Sequence, residues 1–183
     1  RPPVGGASGR TFGQIRQHYS NELMVRMAIR GFEVLNNWPA EVGFGDPGYV
    51  RLGYMLIVVS EQVEACRRNI ELGRGLGVDT RFAAPDELKE IEPLLETDGL
   101  AGGAYEPNGG YIDVTRMVLS WLGAGQSQGL EFLSGVRVNA ISTAARNVSG
   151  IETDAGRIEA PIVVNATGAW ATDLLAPIGV DVP

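Results

Sequence analysis

This chain of 183 residues contains one cysteine and one histidine. A single cysteine excludes an internal disulfide, and the two residues together cannot form a His/Cys metal site. Cys66 falls in a stretch with helical periodicity, where packing is the simplest role for a thiol. Folds held by disulfides or by a His/Cys-ligated metal are therefore excluded, and we expect no metal site.

Basic residues and long apolar runs are also scarce. Fifteen Lys and Arg stand against 22 Asp and Glu, for a formal charge of −7. Nucleic-acid binding needs a basic surface, so nucleic acid is not an expected partner. The longest apolar run, residues 55–59, is too short to span a bilayer, and no signal peptide is recognisable. We therefore expect no membrane partner and a cytoplasmic location.

The composition that is present belongs to a folded protein. Hydrophobic residues make up 44% of the chain and charged residues 20%, which is typical of globular rather than disordered sequences. The length fits one domain, or one domain and part of a second. Because the chain begins with Arg1 rather than Met, we expect an internal piece of a longer protein.

Helical and strand-like periodicities alternate along the sequence and predict a mixed α/β or α+β fold. Predicted helices cover residues 21–38, 61–76, 86–91, 114–128 and 170–175. Predicted strands cover residues 49–59, 80–82, 100–105, 130–133, 137–144 and 162–167, with a hairpin over 148–160. In the first helix the predicted buried face consists of Met24, Met27, Ala28, Phe32 and Leu35. Residues 54–59 are apolar enough to predict a strand that is buried on both faces.

The end of the chain predicts a turn suited to a nucleotide. The predicted strand 162–167 stops at Thr167-Gly168 and passes directly into a helix. Such a turn brings bare backbone and a helix N-terminus to the edge of a sheet, where pyrophosphate, ribose or a flavin edge can approach. The usual G-x-G-x-x-G fingerprint is missing, because the glycines of residues 5–9 follow no predicted strand. The chain therefore carries one side of a nucleotide site.

Several segments, in order along the chain, resemble motifs of one family. They are Ser8-Gly9-Arg10 with residues 14–20, Arg51-Leu52-Gly53-Tyr54-Met55-Leu56, residues 85–88 with 91–93, residues 103–107 with 110–113, and Asn165-Ala166-Thr167-Gly168-Ala169-Trp170. The last four resemble the motifs R-x-G-Y-L, S-P-E-E-L with E-P, G-A-L-Y-E-P…G-Y-x-D-P and N-A-A-G-A-W. On these segments the chain resembles the D-amino-acid-oxidase-like FAD-dependent oxidoreductases, in particular sarcosine oxidase β-subunits, dimethylglycine dehydrogenases and glycine oxidases.

The resemblance implies an FAD-binding domain interleaved with a β-sheet substrate domain, both incomplete in this chain. Residues 1–43 and 107–183 would form part of the FAD-binding domain, and residues 44–106 part of the substrate domain. The family's N-terminal glycine-rich strand is absent, and so is the final part, which supplies most active-site residues. The piece itself is therefore expected to be inactive, and no catalytic residue is assigned.

Arg16 is the candidate substrate-binding residue. The resembling enzymes use the arginine of an I-I-R motif to hold the substrate's carboxylate, and a guanidinium suits that task because it grips a carboxylate bidentately and stays charged. Without the resemblance, Arg16 would be interpreted as a surface arginine at the foot of the first helix. Some members carry a second arginine three residues earlier, where this chain has Gly13. The neighbouring His18 is interpreted as a polar partner of the helix start rather than a proton carrier.

The resemblance also assigns residues to FAD: Ser8, Gly9, Arg10, Val138, Ala166, Gly168 and Trp170. Ser8, Gly9 and Arg10 would face the flavin through their backbone amides. The strand backbone at Val138 would hydrogen-bond the adenine, and residues 166–170 would form the turn near the cofactor. Plainer interpretations stay open: a flexible N-terminal tail, an ordinary strand valine, a glycine required only sterically, and a tryptophan that fills the core.

The function implied by the resemblance is FAD-dependent oxidation of a small secondary or tertiary amino acid such as sarcosine or dimethylglycine. A flavin-dependent 2-hydroxy-acid or glycerol-phosphate dehydrogenase is the alternative, since Arg16 would suit those anions equally. From another class, the chain could be a non-catalytic fragment or an interaction subunit. The expected partner is a small amino-acid substrate, and other subunits of a hetero-oligomer stay open as partners.

Overall fold

The computed structural model describes residues 3–145 and 147–181. Contacts within the described chain separate it into two units, residues 3–132 and residues 133–181. These two units are defined by contacts alone and not by what they bind. The expected division into an FAD-binding domain and a substrate domain therefore stays a prediction. Helices and antiparallel sheets occur together, which confirms the predicted mixed α/β class.

The unit of residues 3–132 contains two three-stranded antiparallel sheets and five helices. Its strands are β1 (Gln14–Ile15), β2 (Val50–Arg51), β3 (Tyr54–Val58), β4 (Arg81–Ala83), β5 (Gly102–Glu106) and β6 (Gly110–Tyr111). Its helices are α1 (Glu22–Asn36), α2 (Trp38–Glu41), α3 (Val63–Gly75), α4 (Pro85–Ile91) and α5 (Val114–Ser127). The strand orders are β1-β6-β2 and β3-β5-β4.

Helix α1 begins where the sequence predicts, because Asn21 Oδ1 accepts a hydrogen bond of 3.3 Å from Met24 N. The predicted buried face is wrong in part. Val25 and Phe32 are buried, whereas Met24 and Met27 are exposed. Apolar residues surround the first half of this helix, so the sequence allows more than one apolar stripe, and the fold buries the stripe that contains Val25.

The β3-β5-β4 sheet packs its core against helix α3. Val58, Cys66, Ile70 and Ala104 form that core, which confirms the packing role predicted for Cys66. The predicted strand 49–59 is divided at Gly53, whose φ is +82°. The prediction of a strand buried on both faces is wrong, since Ile57 is 44% exposed. Within the described residues, β3 pairs with β5 alone, so its other edge is open.

The β1-β6-β2 sheet holds the start of the chain against helix α5. Gly13 has φ +69°, and an added Cβ would lie 2.3 Å from the carbonyl oxygen of Ile112. The backbone N–H of Ile112 in turn donates to Gly13 O at 2.9 Å. Asp113 then caps α5, accepting from Arg116 N at 3.0 Å. Glycine is therefore the residue that this crossing requires, and an arginine there would need a different backbone.

The unit of residues 133–181 is built on strands β7 (Val138–Ala144), β8 (Asn147–Thr153) and β9 (Gly156–Glu159), followed by helix α6 (Ala171–Leu175). The predicted hairpin is confirmed, with a turn between Thr153 and Gly156. The strand predicted over 162–167 is wrong: the segment has no strand pairing in the described chain, and Val164 is 83% exposed.

The strand predicted over residues 130–133 is also absent from the structure. Leu130 N instead donates to Gly125 O at 3.0 Å, which turns the chain back onto the end of α5. Its side chain approaches Gly125, where an added Cβ would lie 2.7 Å from Leu130 Cδ2. The apolar residues after the helix thus complete a helix C-terminus and do not begin a strand.

Candidate functional site

Arg16 follows β1 directly and lies half-buried between two tyrosines. Its Nη1 donates a hydrogen bond of 2.7 Å to Tyr54 Oη. Its Cζ lies 5.0 Å from the centroid of the Tyr19 ring and 5.5 Å from that of Tyr54, within the range of cation–π attraction. The hydrogen bond to Tyr54 raises the pKa of Arg16 above its ordinary value, and burial opposes this. The guanidinium is therefore held in place and charged.

No carboxylate of the described chain forms an ion pair with Arg16. Exposed arginines elsewhere do find such partners, as Arg30 does with Glu41 at 2.6 Å. A half-buried guanidinium that is fixed by aromatic hydroxyl and ring contacts, with no protein carboxylate on it, is suited to bind an external anion.

The two residues after Arg16 are buried. Gln17 N donates to Glu106 Oε2 at 2.8 Å, and His18 Nε2 lies 3.4 Å from Asn69 Nδ2. Burial lowers the pKa of His18, and the positive charge of Arg16 lowers it further. His18 is therefore neutral near pH 7 and has a polar partner, as its sequence interpretation expected.

Glu106 is 1% exposed, and burial raises the pKa of its carboxyl group. The hydrogen bond from Gln17 N and the charge of Arg16 act in the opposite direction. Its second oxygen, Oε1, has no hydrogen-bond partner in the described chain. A carboxyl group in this position stays charged only with the help of the polar groups around Arg16.

An open pocket of about 180 Å³ lies beside Arg16. Its walls are formed by Gln14, Ile15, Arg16, Tyr19, Ala28, Gly31, Phe32 and Leu35. One cation among mostly apolar and aromatic walls is an arrangement that orients a small ligand by its anionic group. All of these residues belong to the unit of residues 3–132.

Residues Ser8, Gly9 and Arg10 form one exposed 3₁₀ turn in the same unit. The structure places the glycine against its own backbone, because a Cβ there would lie 2.1 Å from Val4 O. This close approach accounts for the glycine without a ligand. The exposed backbone of the turn is accessible to a cofactor, and its assignment to FAD stays a prediction.

The other residues assigned to FAD lie in the unit of residues 133–181. Val138 begins β7 and pairs with Thr153. Ala166 lies in the extended segment, and Gly168 opens a 3₁₀ turn with φ +61° and no atom within 4 Å of a Cβ position. Trp170 is 62% exposed, so the interpretation that it fills the core is wrong. The backbone at Gly168 is exposed, and the assignment of these four residues to FAD stays a prediction.

Asn165 shapes the turn at Gly168, and the sequence did not single it out for that role. Its Oδ1 accepts from Thr167 N at 3.1 Å and from Thr167 Oγ1 at 2.6 Å. Its Nδ2 donates to Ala171 O at 3.3 Å. The Asx-turn chemistry of an Asn two residues before Thr is the signal that indicates this role.

Three further residues of the Arg16 site were also missed: Gln17, Tyr54 and Glu106. Tyr54 and Glu106 lie inside recognised motifs, but their contacts reach across 38 and 89 residues of chain. No local pattern predicts such contacts, because they depend on how β1 meets the β3-β5-β4 sheet.

Helix α6 contacts β7, so the turn at Gly168 leads into a helix packed on the strand of Val138.

Two negative findings apply to residues 3–145 and 147–181. None of the helices there has the length and apolar character needed to cross a membrane. No group of three or more His, Cys, Asp or Glu side chains in the same residues is placed to hold a metal ion.

Comparison with known proteins gives consistent matches. The model of the DAO family, described as FAD dependent oxidoreductase, matches residues 1–183. Mitochondrial sarcosine dehydrogenase of Homo sapiens is 28% identical over 186 residues, covering 98% of this chain and 20% of that protein. D-amino acid dehydrogenase of Neisseria meningitidis serogroup A / serotype 4A is 27% identical over 170 residues, covering 92% of this chain and 41% of that protein.

A solved structure, L-proline dehydrogenase from P. horikoshii, has a TM-score of 0.88 and 29% identity, covering 98% of this chain and 47% of that one. The fold and the family resemblance predicted from the motifs are thereby confirmed. The chain spans less than half the length of each of these three proteins.

Proposed function

Because the chain belongs to the DAO family of FAD-dependent oxidoreductases, we propose that it forms part of an enzyme that oxidises a small secondary or tertiary amino acid. Sarcosine and dimethylglycine are the proposed substrates. The family is FAD dependent, and the motifs of this chain are those of its amino-acid oxidising members. Since the chain spans only part of its relatives, the activity is a proposal for the complete protein.

The observation that carries the proposal is the guanidinium of Arg16. It lies between Tyr19 and Tyr54 and lines a small pocket. No carboxylate of the described chain forms an ion pair with it. An amino-acid substrate brings the missing carboxylate. Fixing that group orients the rest of a small substrate and brings its reacting C–H bond into a defined position, which is a large part of what a protein contributes to such a reaction.

The proposed FAD contacts are the exposed 3₁₀ turn of Ser8, Gly9 and Arg10. Val138, Ala166, Gly168 and Trp170 are proposed as FAD contacts separately, each on its own local geometry. When bound, FAD would supply the acceptor for the hydride from the carbon next to the substrate nitrogen, after which the imine hydrolyses. The residues of this chain bind and orient. They offer backbone to the cofactor and one guanidinium to the substrate.

Anaerobic titration of the complete enzyme tests the substrate class, with bleaching of the flavin absorption as the readout. Sarcosine and dimethylglycine are each compared with lactate and glycerol 3-phosphate. We expect bleaching by the amino acids. Reduction only by lactate or glycerol 3-phosphate would establish the alternative chemistry on the same scaffold. A protein reduced by none of these compounds would favour the non-catalytic alternative.

A cytoplasmic location and an association with other subunits are also proposed for the complete protein. The free cysteine, Cys66, supports the first, since thiols stay reduced in a cytoplasm. The open edge of β3 bears on the second, because a further strand can pair there, either from another subunit or from the rest of the same protein. Fractionation of the source cells and light scattering of the complete protein test the two statements separately.

A further inference from the structure

We propose that Glu106 is a positioning residue that fixes Arg16 for the substrate's carboxylate. The inference rests on the proposed function and adds a residue to it. Glu106 touches neither the pocket beside Arg16 nor, in this proposal, the substrate. It acts through the backbone that carries Arg16.

The β3-β5 pair holds the Arg16 segment at two points, the guanidinium of Arg16 and the backbone N–H of Gln17. Glu106, the last residue of β5, lies directly opposite Tyr54, the first residue of β3, so both side chains project from the same face of the sheet. Tyr54 Oη accepts from Arg16 Nη1 at 2.7 Å. Glu106 Oε2 accepts from Gln17 N at 2.8 Å. One cross-strand pair thus fixes both the guanidinium and the peptide that follows it.

The backbone at Gln17 needs this acceptor because the β-ladder has already ended. β1 pairs with β6 only at Gln14 and Ile15. Gln17 is buried, and the hydrogen bond that its N–H makes in the described chain goes to Glu106. Glu106 therefore supplies the acceptor for the N–H of Gln17 that a neighbouring strand would otherwise supply, and fixes the backbone directly after Arg16.

The burial of Glu106 links this residue to Arg16 in particular. At 1% exposure, a carboxyl group is costly to keep unless it is hydrogen-bonded and near a positive charge. Its support comes from Gln17 N and from the charge of Arg16. Glu106 and Arg16 are thus linked through the backbone and through charge, although they are not an ion pair.

The test uses the complete enzyme and the ratio of KM values for sarcosine and its amide, N-methylglycinamide. Glu106→Met keeps the approximate volume and removes the acceptor, whereas Glu106→Gln keeps an oxygen at similar reach. We expect Glu106→Met to raise the KM for sarcosine about 10- to 100-fold, since small displacements of a positioning group have effects of this size. The KM for the amide should change little, and Glu106→Gln should restore most of the loss.

Two further variants make the result decisive. Glu90→Ala removes an exposed glutamate of α4 and should leave both KM values unchanged. Arg16→Ala should abolish the preference for sarcosine over the amide, and if it does not, the proposed carboxylate role itself is wrong. If Arg16→Ala acts as expected and Glu106→Met raises both KM values equally, or neither, the positioning role alone is overturned. Should Glu106→Met fail to fold, Glu106→Asp replaces it, and an unchanged sarcosine-to-amide ratio there would also overturn the role.

Discussion

The segment around Arg16 and the segment around Gly168 are both proposed to meet a ligand, but the protein holds them in different ways. Before Arg16, Gly13 is packed so closely that an added Cβ would lie 2.3 Å from Ile112 O. At Gly168 no atom lies within 4 Å of the same position, and nearby Val164 is 83% exposed. The first segment is fixed by tertiary contacts, and the second by the local hydrogen bonds of its own turn.

This difference indicates where each segment obtains its shape. The Arg16 segment depends on strands far away in sequence, so substitutions in those strands should change substrate binding. The Gly168 segment depends on Asn165 and on short-range turn chemistry. Its exposed apolar side chains leave room for a further surface to cover it, and the cofactor is the surface we propose.

The largest expected effect is the loss of unfolding free energy when Gly13 or Gly168 is replaced by alanine. Both have positive φ, +69° at Gly13 and +61° at Gly168. Gly168→Ala should cost about 1–2 kcal/mol of unfolding free energy, which is the price of the left-handed conformation alone. Gly13→Ala adds overpacking against Ile112 and should cost about 2–5 kcal/mol. Urea unfolding of the complete enzyme measures both, and equal costs would contradict the contrast between the segments.

A smaller effect is expected where the Arg16 segment meets its sheet. Tyr54→Phe keeps the ring beside Arg16 and removes the hydroxyl that accepts from Nη1. A hydrogen bond from a charged group contributes about 1.5–3 kcal/mol, so the KM for the amino-acid substrate should rise roughly 10- to 140-fold. Tyr105→Phe, a change in β5 whose ring lies by Arg81, is the matched control. A Tyr54 variant that behaves like the Tyr105 variant would show that the hydroxyl does not orient Arg16.

The smallest expected effect is a pH dependence confined to the Arg16 segment. Burial and the charge of Arg16 lower the pKa of His18 below 6.5, so the unfolded chain binds this proton more readily than the folded one. Stability from His18 is present above pH 6.5 and is lost as pH falls through the folded pKa. The melting temperature should therefore fall more between pH 7.5 and pH 5.5 in the wild type than in His18→Gln. Parallel curves would mean that His18 does not titrate on unfolding.

The sequence was sufficient for features that depend on neighbouring residues. The helices predicted from residues 21 and 114 form and are capped by Asn21 and Asp113, and the predicted hairpin turns between Thr153 and Gly156. Strands were less secure because a strand needs a partner. The apolar run over residues 162–167 finds none in the described chain, and the run over 130–133 folds back onto α5 instead.

The candidate site was predictable only in its central residue. The family motif identified Arg16, and the structure supplied the reasons for its position. The hydroxyl of Tyr54, 38 residues away, accepts from Arg16, and the carboxyl group of Glu106, 89 residues from Gln17, accepts from the backbone N–H of Gln17. The structure also explains why glycine is favoured at position 13 over an arginine, since the backbone conformation and the contact with Ile112 disfavour any side chain. Such facts depend on tertiary packing, which local periodicity does not encode.

The most direct test of the central claim is the effect of Arg16→Ala on the KM for sarcosine and for its amide in the complete enzyme. Truncating one partner of a buried charge pair costs about 2–5 kcal/mol, so the KM for sarcosine should rise roughly 30-fold to several thousand-fold. The KM for the amide should change little, flavin content should stay normal, and Arg16→Lys should recover only part of the loss because an ammonium cannot form the bidentate contact. Equal losses for both compounds, or a variant that loses its flavin, would contradict the account.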